Sequence, residues 1–146
     1  MAEEGVYPRM RVLVVDDDSS IRQVIRSLLL QLGVRQIFEA TDGVAGLLEV
    51  LRVRPDMVFC DVHMKPLGGL EFLKQLRMVK LTDIAETAVV ILTGDASHDT
   101  VLAARQWSAD GYLVKPVSPA QLKARIESVL AADAARPQAI LARVLS

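Results

Sequence analysis

The chain has 146 residues, 51% of them hydrophobic, with 17 basic and 18 acidic side chains and a formal net charge of −1. That length suits one ordinary domain, and the charge balance argues against nucleic acid as the main partner, because phosphate binding wants a basic surface. A single cysteine, Cys60, excludes an internal disulfide and a cysteine-rich zinc site. The opening MAEEGVYPRM is acidic and has no apolar signal region, and no stretch reaches the roughly 18 apolar residues of a membrane span. The expectation is a soluble, cytoplasmic protein with no membrane insertion. Aromatic residues make up only 4%, so the core must be aliphatic.

In chain order, RVLVV (11–15) is a short β-branched run of strand length, closed by DDDSS. SSIRQVIRSLLLQLG (19–33) places Ile21, Val24, Ile25, Leu28, Leu29 and Leu32 at helical spacing, with Gly33 at its end. RQIFEA (35–40) is the second strand. DGVAGLLEVLRVR (42–54) carries Val44, Leu47, Leu48 and Leu51 on one face and stops at Pro55. MVFC (57–60) is the third strand, GLEFLKQLRMV (69–79) the third helix, AVVIL (88–92) the fourth strand and HDTVLAARQW (98–107) the fourth helix. The segment 81–87 reads as a loop. GYLV (111–114) is a fifth strand, and SPAQLKARIESVL (118–130) a fifth helix capped by Ser118 with Pro119 at its first position. Residues 132–146 are a tail in which Ile140, Leu141, Val144 and Leu145 allow a short amphipathic turn.

Strand and helix thus alternate five times. Such alternation gives a parallel sheet with helices on both faces, and the wholly apolar first, third and fourth strands belong at its centre. Ligands of open α/β sheets bind beyond the carboxyl ends of the strands. There the chain places Asp16, Asp17 and Asp18 after strand 1, Asp61 after strand 3, Thr93, Gly94 and Asp95 after strand 4, and Lys115-Pro116 after strand 5. Taken singly, an Asp in that position is ordinarily a turn residue or a helix cap. Together they are a different matter. Crowded carboxylates repel unless a cation joins them, hard oxygen ligands suit Mg²⁺, and a carboxylate flanked by a hydroxyl and a lysine is equipped to accept a phosphoryl group.

These segments resemble the receiver domain of two-component response regulators, especially its stand-alone, chemotaxis-regulator-like members. VLVVDDDSSIR resembles the acidic-pair segment, MVFCDVHMKPLGGLEFLKQLR the phosphoacceptor segment, VVILTG the switch-threonine strand and DGYLVKP the Lys-Pro strand. The resemblance runs from about residue 10 to 131, leaving 1–9 as an N-terminal extension and 132–146 as a tail without an output domain. It implies a flavodoxin-like, doubly wound five-stranded sheet of order 2-1-3-4-5 with five helices. It also implies a role for each site residue. Asp61 takes the phosphoryl group from a phosphohistidine of a histidine kinase or phosphotransfer protein. Asp16, Asp17, Asp61 and the main-chain carbonyl of His63 hold Mg²⁺. Thr93 and Lys115 meet the phosphoryl oxygens, with the backbone of His63 and Gly94 beside them. Tyr112 is the aromatic switch, and a cis peptide joins Lys115 to Pro116. The implied protein is a signalling switch rather than an enzyme. It is a monomer or weak dimer, read by a target protein on the face of the fourth helix, fifth strand and fifth helix.

Lys65, Gly68, Ser108 and His63 depart from the residues common in that family at their positions. A haloacid-dehalogenase-type phosphatase also uses an Asp after a strand, but wants a second acid two residues on, where this chain has His63. A dinucleotide-binding turn needs glycines after strand 1, and DDDSSI has none. A degenerate receiver that binds without being phosphorylated fits poorly, since Asp16, Asp17, Asp61, Thr93 and Lys115 are all present. About 15 residues after the last helix point to output by protein contact, whether as a messenger, a phosphorelay shuttle or a phosphate sink.

Overall fold

Five strands form one all-parallel sheet in the order β2-β1-β3-β4-β5. They are β1 Arg11–Val15, β2 Gln36–Ala40, β3 Met57–Asp61, β4 Ala88–Thr93 and β5 Gly111–Val114. The computed structural model describes residues 5–94, 97–135 and 139–145, so Asp95 lies outside the described residues. Every residue of β3 and β4 is buried, as strands covered on both faces require, while the edge strands β2 and β5 are only partly covered.

Seven helices accompany the sheet among the described residues: α1 Ser19–Leu32, α2 Gly43–Val53, α3 Gly69–Arg77, α4 Thr82–Ala85, α5 His98–Gln106, α6 Pro119–Asp133 and α7 Ile140–Leu145. Five are substantial and correspond to the five expected from periodicity. The segment read as a loop over 81–87 contains the short α4, whose Ile84 is buried, and the tail contains α7, whose Ile140 is buried beside α6. One layer of core packs α1, α6, the Tyr7–Arg9 3-10 turn and α7 against Val12, Val14, Met57 and Phe59. The other packs α2, α3 and α5 against Leu13, Val15, Val58 and Cys60. Among the described residues no helix is long and apolar enough to cross a membrane.

The helix ends follow their sequence signals. Asp18 caps α1 by accepting the Ser20 N–H, and Gly33 closes it at φ 106°, a conformation that suits glycine. Asp42 caps α2 by accepting the Ala45 N–H. Ser118 and Gln121 form a reciprocal capping box on α6, with Pro119 at its first turn.

Two apolar faces differ from expectation. Val24 of α1 is exposed. More consequentially, α2 buries Gly43, Gly46, Val50 and Val53, whereas Val44, Leu48 and Leu51 point outward. The reason is steric. The sheet and α3 approach the glycine side so closely that a Cβ at Gly46 would stand 3.2 Å from both Val15 and Phe72. Periodicity of large apolar residues marks a face as apolar. It does not mark the face on which a helix sits closest to its sheet.

Candidate functional site

The winding direction changes between β1 and β3, since β2 lies on the far side of β1 and β4 and β5 follow β3. That switch point opens a crevice beyond the strand ends. Parallel register levels the strand ends: Val15 aligns with Cys60, Asp61 with Leu92, and Thr93 with Val114. Asp16 and Lys115, each one residue past its strand, and Asp61 and Thr93, each the last of its strand, therefore line one crevice.

Asp16, Asp61 and Thr93 are buried, while Asp17 is exposed. One carboxylate oxygen from each of Asp16, Asp17 and Asp61 lies within 4.8 Å of the others. Lys115 closes the cluster, its Nζ donating to Asp16 Oδ2 at 2.9 Å and to Asp61 Oδ1 at 3.0 Å. Burial pushes the Asp61 carboxyl above the ordinary range; Lys115 pulls it back in part, and the neighbouring Asp16 and Asp17 push it further up. Burial opposes the Lys115 ammonium, but its hydrogen bonds to Asp16 and Asp61 outweigh that, and its pKa is raised. The ammonium thus serves as the counter-charge of a carboxylate cluster that repels itself. Cys60, next to the site, is wholly buried and its thiol is held well above the usual range, by burial first and by Asp61 and Asp16 next. It is a core residue without thiolate character.

The Lys115 N–H donates to the Thr93 carbonyl at 2.8 Å, tying the ends of β4 and β5 together. The Lys115–Pro116 peptide is cis, as is Lys65–Pro66 in the loop after Asp61. His63 is exposed between the buried Val62 and Met64, and Gly94 is exposed with open space around it. Tyr112 sits on β5 with 37% of its surface exposed and its ring 5.8 Å from the Arg125 guanidinium. It lines an open groove with Val114, Gln121 and Arg125 between β5 and α6, apart from the carboxylates. Trp107 at the end of α5 is partly buried, with Lys74 Nζ 5.4 Å from its ring centre.

Three further residues support the site, and the two arginines among them had no clear sequence signal. Arg22 of α1 donates to the Asp16 carbonyl at 2.6 Å and to Glu39 at 3.1 Å, fixing the peptide that carries the buried carboxylate. Gly69 packs so tightly beneath the end of β3 that a Cβ would overlap the Asp61 carbonyl. Arg77 donates to the carbonyls of Ala85, Thr87 and Ser108 at 2.7–2.8 Å and to Asp110 at 3.1 Å, anchoring the loops on either side of β4. Gly69 was visible as one of a Gly-Gly pair. Nothing in the local pattern marks a long-range arginine contact.

A cluster of buried acids, a cation and a hydroxyl at the switch point of a 2-1-3-4-5 sheet has close counterparts. The model for the response regulator receiver domain matches residues 12–127. The chemotaxis protein CheY-3 of Vibrio cholerae is 31% identical over 120 residues, spanning 82% of this chain and 91% of that protein. The chemotaxis protein CheY of Pseudomonas aeruginosa is 32% identical over 120 residues, spanning 82% and 95%. The crystal structure of chemotaxis protein CheY4 of Vibrio cholerae superposes with a TM-score of 0.76 at 33% identity, covering 83% of this chain and 98% of that one. With its sheet order, its match across most of its length and its relatives all agreeing, the chain belongs to the response regulator receiver domain family.

Proposed function

We propose that this protein is a phosphorylation-driven signalling switch in which Asp61 accepts a phosphoryl group from a phosphohistidine on a histidine kinase or phosphotransfer protein. The observation that carries this reading is the placement of Asp61. It ends a fully buried central strand, in contact with Lys115 Nζ at 3.0 Å and grouped with Asp16 and Asp17. A carboxylate oxygen of Asp61 attacks phosphorus, the P–N bond to the donor breaks, and its electron pair returns to the imidazole. Lys115 would follow the charge as it moves onto the phosphoryl oxygens, and the Thr93 hydroxyl would hydrogen-bond them. The backbone of His63 and Gly94 would contact the same phosphoryl group.

The donor set fits Mg²⁺: hard carboxylate oxygens, with an exposed Asp17 leaving room for water. Asp16, Asp17, Asp61 and the His63 carbonyl would hold it. When bound, it would neutralise phosphoryl charge during transfer. A divalent cation suits a cluster of three carboxylates that the single ammonium of Lys115 leaves net negative.

The acyl phosphate adds up to about two negative charges beside Thr93 and Lys115. Both are tied through the Thr93 carbonyl to the end of β5, which carries Tyr112. The signal would therefore be read by a protein on the α5–β5–α6 face. The named relatives are chemotaxis proteins, which supports a diffusible messenger working in the cytoplasm and not at nucleic acid. The test is labelling by acetyl phosphate or a phospho-kinase with and without Mg²⁺. Wild type should label only with Mg²⁺ and Asp61→Asn should not label. Equal labelling of the variant would refute the assignment.

A further inference from the structure

Single arginines on a surface are ordinarily solvated. Several gathered around one concavity repel one another and call for a counter-charge. At the amino-terminal ends of the strands, away from the end that carries Asp61, Arg9, Arg11, Arg54 and Arg143 line a cavity of about 340 Å³ together with Asp56 and Val144. The four arginines come from four separate elements. Arg9 ends the 3-10 turn, Arg11 begins β1, Arg54 follows the last turn of α2, and Arg143 lies on α7. Four of the 17 basic side chains thus meet a single lining acid, in a chain whose formal net charge is −1.

That acid does not balance them. Asp56 is buried, and its Oδ2 accepts the Arg11 N–H at 2.8 Å. Its Oδ1 stands 3.8 Å from Arg143 Nη2, beyond hydrogen-bond length. Arg54 pairs with the exposed Asp83 at 3.0 Å. Arg9 and Arg11 form no ion pair among the described residues. Arg11 donates instead to the Val53 carbonyl at 2.7 Å, and Arg9 to the Val144 carbonyl at 3.5 Å. A guanidinium carries five N–H donors, so these contacts leave most of theirs over. Four guanidiniums against Asp56 and Asp83 leave two positive charges in excess. The other charges at this end of the sheet do not cancel them. Arg35 before β2 and Glu86 before β4 are one of each sign, Arg77 and Asp110 pair at 3.1 Å, and the buried Asp133 accepts the Ile140 N–H. Glu3, Glu4 and Arg136 lie outside the described residues.

We propose that this cavity binds a small molecule bearing two or more phosphate groups, held by Arg9, Arg11, Arg54 and Arg143. Guanidinium forks match phosphate oxygens in pairs. Arriving from four elements, they suit tetrahedral phosphate better than a planar carboxylate. The two excess charges call for more than a single negative charge, and the volume falls at the lower end of small-ligand sites, about 300–1,000 Å³. Asp56 is a positioning residue: it ties the start of β1 and draws Arg143 towards the cavity. Because Arg143 lies on the tail helix and the other three on the body of the domain, a bound ligand bridges the two and holds α7 in place.

The probe is pyrophosphate, titrated at constant ionic strength into the full metal-free chain and followed by amide NMR shifts and thermal denaturation. Wild type should show saturable shifts at Arg9, Arg11, Arg54, Asp56 and Arg143, with a rise in melting temperature. Arg9→Gln/Arg143→Gln leaves the Arg11–Val53 and Arg54–Asp83 contacts in place and should weaken binding at least about tenfold. Arg54→Gln, at an exposed position, should weaken it as an independent check. Arg26→Gln/Lys123→Gln removes the same charge from α1 and α6 and should bind as wild type does. Inorganic phosphate and citrate should each bind at least about tenfold more weakly than pyrophosphate. Shifts that do not saturate, or that centre elsewhere, overturn the proposal. So does wild-type affinity in both Arg9→Gln/Arg143→Gln and Arg54→Gln, or an equal loss in Arg26→Gln/Lys123→Gln. Phosphate or citrate binding as tightly as pyrophosphate overturns the assignment to a molecule with more than one phosphate group.

Discussion

Lys115→Met removes the ammonium that touches the carboxylate cluster and keeps most of the aliphatic stem. Nζ now bridges Asp16 Oδ2 at 2.9 Å and Asp61 Oδ1 at 3.0 Å; the Asp16 side chain has no exposure and that of Asp61 only 8%. Leaving a fully buried charge without its partner costs about 3–5 kcal/mol. The Lys115 side chain keeps 20% exposure and the crevice opens to water at Asp17, so screening trims the figure to about 2–3 kcal/mol at neutral pH in chelator. At roughly 3 °C per kcal/mol for a chain this size, the melting temperature should fall by about 6–9 °C. The sign of the pH dependence is fixed by Asp61. Its folded pKa is raised, by burial foremost, so ionising it costs the folded state. That cost is absent below the unfolded carboxyl pKa and complete above the folded one. Losing Lys115 raises the folded pKa further, so the deficit relative to wild type should widen as pH rises through the carboxylate range and close as it falls. Mg²⁺ should restore part of the loss by binding the folded state. Thermal and urea denaturation followed by circular dichroism, across pH and with Mg²⁺ or chelator, reads all three effects. A deficit unchanged by pH and by Mg²⁺ would locate the loss in packing and refute the carboxylate-repulsion account.

Asp17→Ala should weaken Mg²⁺ binding by at least about tenfold while leaving stability in chelator within about 0.5 kcal/mol, because Asp17 is the exposed member of the cluster; NMR titration of the metal-free protein measures the first and urea denaturation the second. Gly69→Ala should destabilise by about 2–3 kcal/mol in urea, since its Cβ overlaps the Asp61 carbonyl and backbone cannot swing aside as a side chain would. Thr93→Ala should still be phosphorylated on Asp61 but lose the response of a captured partner to beryllofluoride, a response expected at about 5–150-fold in wild type; an equal enhancement in the variant would sink the Thr93–Tyr112 coupling.

The site was legible because its signals are local and repeated. Each strand is a short apolar run, and each of four runs stops at or beside a polar residue of the right chemistry: Asp16, Asp61, Thr93 and Lys115. Parallel pairing converts those four local stops into one cluster, so topology did the assembly that sequence could only imply. What sequence reading missed depends on distance and clearance. The outward turn of Val44, Leu48 and Leu51 follows from the close seating of Gly43 and Gly46, and glycines carry no weight in an apolar count. The burial of Val6 and Tyr7 beneath the sheet, and the docking of α7 through Ile140, depend on a gap between α1, α6 and the strand starts that no local pattern reveals. Asp133 marks the same limit: its carboxylate accepts the Ile140 N–H at 2.6 Å, a contact of which the local sequence gives no sign.

The central claim is that Asp61 is the residue phosphorylated. An acyl phosphate reacts with borohydride and converts the modified aspartate to homoserine, so its position is read by mass spectrometry after proteolysis. Protein phosphorylated in Mg²⁺ should yield homoserine in the peptide spanning β3 and the loop after it, at position 61, and none at Asp16 or Asp17. Homoserine at either of those positions, or phosphate retained on a histidine or hydroxyl residue with Asp61 unmodified, would contradict the account.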